Sequence, residues 1–363
     1  FSRLAGGEKG VLGAIAIYRE PMPLEALSNH EIETDLLDDL VEKGLTRQVD
    51  NENYDVHDLV REFLLRSLDP ATAVNLHAAA CEWYRTHRDA PEQQLEYIYH
   101  LVRSGDTDSL AEVLDESGRK LIRSGHIELL SLLEGLQKDD FGPRTWANVL
   151  ELRGDILSLQ GRWQQAEVQY EEALPMVKRH KMLKMEGRLL SSKADISVQR
   201  GQPDEALELH RSALEIFIAT GDAKGAARSY ANMGYIYRLR KDTKRALEVY
   251  GNVEDLLEAE DDPSLSEVRI KLASALLEMG EIDRARDHAM TSFDETSKLD
   301  DPGLHARARA VLGRFYARTG DPDLALHHYS EALEQMAEET NQRSAVEVKI
   351  LLGEALDDAG RKE

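Results

Sequence analysis

The sequence has one cysteine, Cys81, ten prolines among 363 residues, few aromatics and no long apolar run. A single cysteine excludes an intrachain disulfide framework and a cysteine-rich zinc site. Cys81 closes the run Ala78-Ala79-Ala80-Cys81, on an apolar helix face, and reads as core, because buried thiols behave as small hydrophobes. No segment reaches the roughly 20 apolar residues that cross a bilayer, and no charged-then-apolar leader precedes the first helical pattern. The expectation is a cytoplasmic protein without a membrane partner. Cations are in deficit too: the formal net charge is -23, which opposes broad attraction to nucleic acid. Also missing is a phosphate-binding loop, since Gly6-Gly7-Glu8-Lys9-Gly10 has neither the spacing nor the hydroxyl of one. No paired carboxylates, nucleophile–base pair or metal-ligand cluster stands out, so no catalytic residue, metal site or cofactor is assigned to these residues, and the chain by itself is expected not to be an enzyme. His77, His87, His100 and His126 are scattered and read as surface or packing histidines.

What the sequence does have is abundant Ala, Leu, Glu and Arg, the composition of a mostly α-helical chain, and a repeat. Gly154, Ala194, Gly234, Ala273, Gly313 and Gly353 recur 40, 40, 39, 40 and 40 residues apart, and a fixed period of this size signals a solenoid. A second series follows each of these: Gly161, Gly201, Gly280 and Gly320, each five residues before Ala166, Ala206, Ala285 and Ala325, with Lys241 before Ala246 as the one unit lacking the glycine. Seven residues further on come Ala173, Ala213, Val253, Ser292 and Ala332, and Tyr170, Tyr250 and Tyr329 fill the large position between. Small residues are needed where helices cross closely, so these positions serve packing. The pattern resembles tetratricopeptide repeats, with Gly234-Tyr235-Ile236-Tyr237 a close match in the first helix. The resemblance implies a right-handed α-α superhelix over 146–363, about five repeats of some 40 residues and a partial one beginning with a helix at Ser344 to Asp358.

The N-terminal stretch has a different rhythm. Val11, Leu12, Ile15, Ala16 and Tyr18 place a stripe on a first helix ending near Pro21; Leu24 to Leu27 forms a short second one. A third runs from Glu33 to Lys43, burying Leu36, Leu37, Leu40 and Val41, with Gly44 as C-cap. Alternation then predicts strands at Leu45–Val49 and Tyr54–Val56, and Asp58 is expected to cap a last helix, Leu59 to Leu68, with Leu59, Val60, Phe63 and Leu64 inward. Three helices, a β-wing and a closing helix make a winged-helix domain over 1–69. Its third helix carries Glu33, Asp35, Asp38, Asp39 and Glu42 against Lys43 alone, a poor reader of a phosphate-lined groove, so nucleic acid is not the expected partner. Residues 70–145 read as a helical arm: Pro70 to His87 with Val74, Ala78, Cys81 and Trp83 or Tyr84 inward, a helix from Pro91 closing at Gly105, and short helices punctuated by Gly118 and Gly125.

The run Tyr54-Asp55-Val56-His57-Asp58-Leu59-Val60-Arg61-Glu62-Phe63-Leu64 resembles the winged-helix domain of STAND-class signal-transducing NTPases, the class that includes the NB-ARC immune receptors. Val56-His57-Asp58 matches their Met-His-Asp motif with Val for Met. In that family the histidine reaches the β-phosphate of ADP held by a neighbouring nucleotide-binding domain and keeps the molecule closed. The resemblance therefore implies that His57 senses the nucleotide state, that Asp58 caps the helix beside it, and that ATP or ADP with magnesium belongs to an NTPase domain in cis. An imidazole donates well to phosphate and titrates near neutrality, while a histidine ending a strand also has a plain structural use, bonding a neighbouring backbone. Phe1 in place of Met, and an end soon after Gly360, lead to the expectation of a fragment, monomeric once separated from its NTPase core.

In the tetratricopeptide frame the first helix of each repeat lines the concave wall, which places Arg188, Arg228, Arg238, Arg307, Arg314 and Arg318 there with Tyr235. These form a basic stripe for an acidic ligand or peptide, or else pair with Asp195, Glu267 and other local carboxylates. Asp155 and Asp195 stand where a chaperone-tail clamp needs Asn, so such a clamp is not supported. The functional expectation is the regulatory and sensor portion of a STAND NTPase, with an unknown protein, peptide or small-molecule inducer on the repeats. A free-standing protein-binding scaffold and a DNA-binding regulator are the alternatives.

Overall fold

The computed structural model describes residues 4–30, 35–50, 53–259, 265–299, 301–337 and 349. The chain divides into two compact units, 1–156 and 157–363, and the division falls inside the helix Pro143–Leu159 (α8).

In the first unit, α1 (Gly6–Ala16) buries Val11, Leu12 and Ile15 completely or nearly so. Past Pro21 the chain runs extended, as proline favours, and forms a short strand absent from the sequence expectation, β1 (Met22–Pro23), before a 3₁₀ turn at Leu24–His30. α2 (Asp35–Glu42) buries Leu37 and Leu40, while Val41 faces outward at 37% exposure, against expectation. Gly44 ends the turn with φ +66°. β2 (Arg47–Gln48) and β3 (Asn53–Asp55) complete an antiparallel sheet of order β1-β3-β2, with Met22 opposite Tyr54 and Arg47 opposite Asp55. α3 (Asp58–Ser67) closes the domain. The order of the helices and of the β2–β3 pair is the expected one, with β1 added to it.

Two local expectations are corrected in α3. The cap is His57, whose backbone carbonyl accepts from the Val60 and Arg61 amides, and Asp58 is already helical. The inward stripe runs through half-buried Val60 and buried Leu64, four residues apart; Leu59 and Phe63, one position or about 100° earlier around the helix, are 73% and 55% exposed.

The rest of this unit is helical: α4 (Pro70–Tyr84), α5 (Pro91–Ser104), α6 (Thr107–Arg123) and α7 (Leu129–Glu134). Asp69 caps α4 by accepting from the Thr72 amide, with Pro70 in the first turn. The buried stripe of α4 is His77, Ala80, Cys81 and Tyr84, with Trp83 beside it; Val74 and Ala78 lie outside it. α6 runs unbroken through Gly118. A Cβ there would stand 2.7 Å from Leu152, so the glycine makes room for packing and does not break the helix.

The second unit repeats one motif. α9 (Trp163–Arg179) precedes four helical pairs: α10 (Leu183–Gln199) with α11 (Pro203–Ala219), α12 (Ala223–Leu239) with α13 (Thr243–Ala259), α14 (Ser266–Met279) with α15 (Ile282–Thr296), and α16 (Pro302–Thr319) with α17 (Pro322–Ala337). The helices of each pair pack on one another, and the first helices α10, α12, α14 and α16 also pack side by side in sequence. Ala166, Ala206, Ala246, Ala285 and Ala325 are all fully buried, as are Ala173, Ala213, Val253, Ser292 and Ala332. Tyr250 and Tyr329 fill the space left by glycine: a Cβ on Gly234 would lie 2.3 Å from the Tyr250 ring, and one on Gly313 2.7 Å from Tyr329. The turns at Gly161, Gly201, Gly280 and Gly320 are left-handed, and Lys241 adopts the same conformation at φ +60° despite its side chain. Of the expected helix at 344–358 only residue 349 is described, and Gly353 lies outside the described residues.

Two substitutions with opposite effects follow from this geometry. Gly234→Ala forces the Tyr250 ring off its seat and should cost about 1–3 kcal/mol, as overpacking does. Lys241→Gly removes the left-handed strain on a residue with a Cβ and should stabilise the array by about 1 kcal/mol. Thermal and urea unfolding midpoints check both; equal shifts of the same sign would contradict the turn and packing assignments.

Candidate functional site

His57 sits where β3 meets α3, and the residues before it decide its orientation. The Asp55 carboxylate is only 8% exposed and pairs with two guanidinium groups: Arg47 at 2.6 Å, across the sheet, and Arg61, from α3. Arg61 also donates to the Ala16 carbonyl at 3.2 Å, at the end of α1, and the Val56 amide donates to Asp55 at 2.8 Å. Val56 is fully buried, so the motif's first position faces the core. With Asp55 and Val56 turned inward, His57 is left exposed at the helix start, and its side chain makes no capping bond. The neighbouring-backbone use of this histidine is therefore not what the structure shows. Arg61, the nearest cation in sequence, is occupied by Asp55 and Ala16. The His57 imidazole is thus exposed at the start of α3 and takes no part in its cap.

On α2, Asp38, Asp39 and Glu42 are exposed, and Lys43 is held by Glu8 at 2.5 Å. The one cation expected there is thus engaged by a carboxylate.

The histidines of the arm are packed. His77 and His100 meet at 2.9 Å through their Nδ1 atoms, His100 stacks on Tyr84, and Tyr18 bonds His30 at 3.1 Å beside them. His87 stacks on Trp83, and His126 bonds Glu128 at 2.9 Å. No group of three ligating side chains suited to a metal occurs among the described residues. Burial lowers His30 to about 4; burial, then the Arg103 and His30 charges, lowers His77 to about 4; His100 lies well below the usual imidazole range from burial first. Arg19, paired with buried Glu96 at 2.7 Å, lies close by and adds to the effect on His100.

In the second unit the seven residues expected on the first-helix wall fall on α10 (Arg188), α12 (Arg228, Tyr235, Arg238) and α16 (Arg307, Arg314, Arg318). Two carboxylates of α14 bring most of them together. Glu267 takes Lys271 at 3.5 Å and Arg307 at 3.8 Å, and its carboxyl is lowered to about 2 by Lys271 foremost, against desolvation, then by Arg307 and Arg228. Glu278 pairs with Arg238 and, at 3.5 Å, with Arg314. The Arg238 guanidinium lies over the exposed Tyr235 ring, 5.1 Å from its centroid. Arg188 is half-buried on α10, and Arg318 is exposed in the last turn of α16, with no ion pair among the described residues.

Pairing with Glu267 is thus as expected, but Asp195 takes no part. It accepts from the Asn232 amide at 2.9 Å and lies 3.5 Å from the buried His210 ring. Sequence reasoning missed Glu278 and Lys271. The register was the available signal: Arg188, Arg228, Glu267 and Arg307 each precede the small residue of their repeat by six positions. One stripe therefore places arginines on α10, α12 and α16 and a carboxylate on α14, where the helices run side by side.

Comparison with known proteins places the fold. The tetratricopeptide-repeat family model matches residues 186–259, and a second such model matches 306–329. By repeat and packing, the second unit is a tetratricopeptide-repeat array. Over 98% of its length the chain superposes on 54% of a Signal Transduction ATPase with Numerous Domains, a STAND protein with a tetratricopeptide repeat sensor from Pyrococcus horikoshii, with a TM-score of 0.67 and 17% identity. It is also 30% identical over 169 residues to the HTH-type transcriptional regulator MalT of Vibrio campbellii, covering 44% of this chain and 18% of that one. The chain thus spans less than two thirds of either relative. The likeness to the STAND protein with a repeat sensor is one of fold. No helix among the described residues is long and apolar enough to cross a membrane.

The buried histidines have a measurable consequence. An imidazole with an unfolded value near 6.5 and a folded value near 4 is neutral in the fold, so the unfolded chain binds more protons between those values. The stability of the first unit is complete above about pH 6.5 and falls as the pH drops toward 4. Thermal midpoints across that range test it, and His77→Gln should flatten the slope; a flat wild-type profile would contradict the buried neutral cluster.

Proposed function

We propose that the chain is the regulatory and sensor portion of a STAND NTPase. In this reading His57 donates to the β-phosphate of ADP held, with magnesium, by an NTPase domain in cis, and stabilises the closed state. The repeats bind an inducer, protein or peptide, that favours the open state and releases the lock; a trigger of this kind needs different affinities for the two states. ATP hydrolysis belongs to the NTPase domain, and the residues described here contribute regulation. The observation that carries the reading is the position of His57: it is the cap of α3, exposed, turned outward by the buried Asp55 and Val56, and its imidazole is not used for capping.

The test uses His57→Ala in the protein joined to its NTPase domain. The substitution should speed ADP release by at least tenfold and raise basal activity without an inducer, because the charge-assisted bond to phosphate is lost. The fold should hold, since the side chain is exposed. Unchanged ADP retention together with unchanged basal activity would overturn the proposal and leave the repeats as a scaffold.

A further inference from the structure

The charges of the second unit are segregated by helix. In a chain with 68 acidic residues, α12 and α16 contain no Asp or Glu, yet they carry Lys224, Arg228 and Arg238, and Arg307, Arg309, Arg314 and Arg318. Between them lies α14, whose acidic residues are Glu267 and Glu278. These are the carboxylates on which Arg228, Lys271, Arg307, Arg238 and Arg314 converge. Five cations therefore share two carboxylates across three adjacent helices. Folding alone gives little reason for this arrangement: partly exposed ion pairs contribute about 0–1 kcal/mol, and like charges on neighbouring helices repel.

The first helices of successive repeats pack on one another, whereas the second helices do not do so to the same degree among the described residues. The first helices therefore form the tighter, inner side of the curve. Helices packed at about 8–10 Å put α10, α12, α14 and α16 across roughly 27 Å, the length of about eight residues of extended chain at ~3.3 Å each. A small molecule would span one or two of these helices. The exposed Tyr235, beneath the Arg238 guanidinium, adds an apolar plane within the basic field.

We infer that the first-helix face of the array binds an extended acidic peptide, whose carboxylates are held by Arg228, Arg238, Arg307 and Arg314 and whose apolar side chain lies on Tyr235. The inference rests on reading the repeats as the sensing surface and adds the chemistry of what they sense. Glu267 and Glu278 act as resident counter-ions that keep the arginines extended while the face is empty, and their negative charge makes the site selective for a peptide with several carboxylates over a single anion. The chain's net negative charge does not prevent this, because at physiological salt charges beyond about 8 Å are screened and the local field governs contact.

The test measures fluorescence anisotropy of a labelled eight-residue peptide, seven Glu and one central Phe, titrated with this chain. Matched peptides with Gln or Lys in place of Glu, and an eight-nucleotide oligothymidine, serve as comparisons. The Glu peptide should bind, at least tenfold more tightly than the Gln peptide, with affinity falling as salt rises. Arg228→Gln combined with Arg307→Gln should weaken it at least tenfold, and Arg286→Gln, on exposed α15 surface, should leave it unchanged; thermal melts show that each variant is folded. Equal binding of Glu and Gln peptides, absence of binding, or indifference to the double substitution would overturn the inference, as would tighter binding of the oligothymidine. The measurement needs no nucleotide, so its failure is distinguishable from a failure of the His57 reading.

Discussion

The array depends on one contact, between a position without a Cβ on a first helix and an aromatic ring on its partner. Gly234 lies under Tyr250, and Gly313 under Tyr329. The same device works across a repeat boundary, where Phe217 of α11 fills the space beside Gly187 and Gly225. Each contact sets how closely two helices approach, and the 40-residue period repeats that approach through the array. Side-by-side packing of the first helices follows, and with it the register that draws Arg228 and Arg307 toward Glu267. The charged stripe is therefore a product of the packing, and one of its members, Arg238, bonds the buried Tyr250 itself.

The first unit handles charge differently. Asp55 is buried against Arg61, with the exposed Arg47 on its other oxygen, and a buried pair such as Asp55–Arg61 contributes little net energy while losing one member is expensive. Its value here lies in orientation: it ties the sheet to α3 and to the end of α1, so that the residue two places on faces outward. The buried histidines of the arm act in the other direction. They pack as flat, neutral rings against Tyr18 and Tyr84, and their place in the core makes the unit sensitive to acid.

Much of this was legible in the chain. The small residues, the second-helix alanines, the tyrosines and the left-handed glycines all lie where a repeating pattern puts them, because each must satisfy a local packing or backbone constraint that recurs. Lys241 shows how strong the constraint is, since the turn keeps its left-handed form without glycine. What was misread are phases and partners. Leu59, Phe63, Val41 and Ala78 differ from their expected burial because neighbouring positions on a helix are about 100° apart, and a stripe read one residue off points at solvent. Gly118 looked like a break because local propensity is blind to the leucine waiting across from it. Asp195 and Glu278 exchanged roles because ion pairs form across helices 40 residues apart, where no local rule chooses between carboxylates.

The sequence by itself determined the period, the helical pairing, the acidic third helix of the wing domain and the Val56-His57-Asp58 run, since each is written in short-range patterns of size, charge and spacing. Tertiary structure alone decided that His57 caps α3 with its imidazole free of that role, that Asp55 is the buried anchor behind it, and that four arginines converge on Glu267 and Glu278. The physical reason is that burial and ion pairing depend on distance in space, and the distances that matter here are set by helices meeting over small residues far apart in the chain.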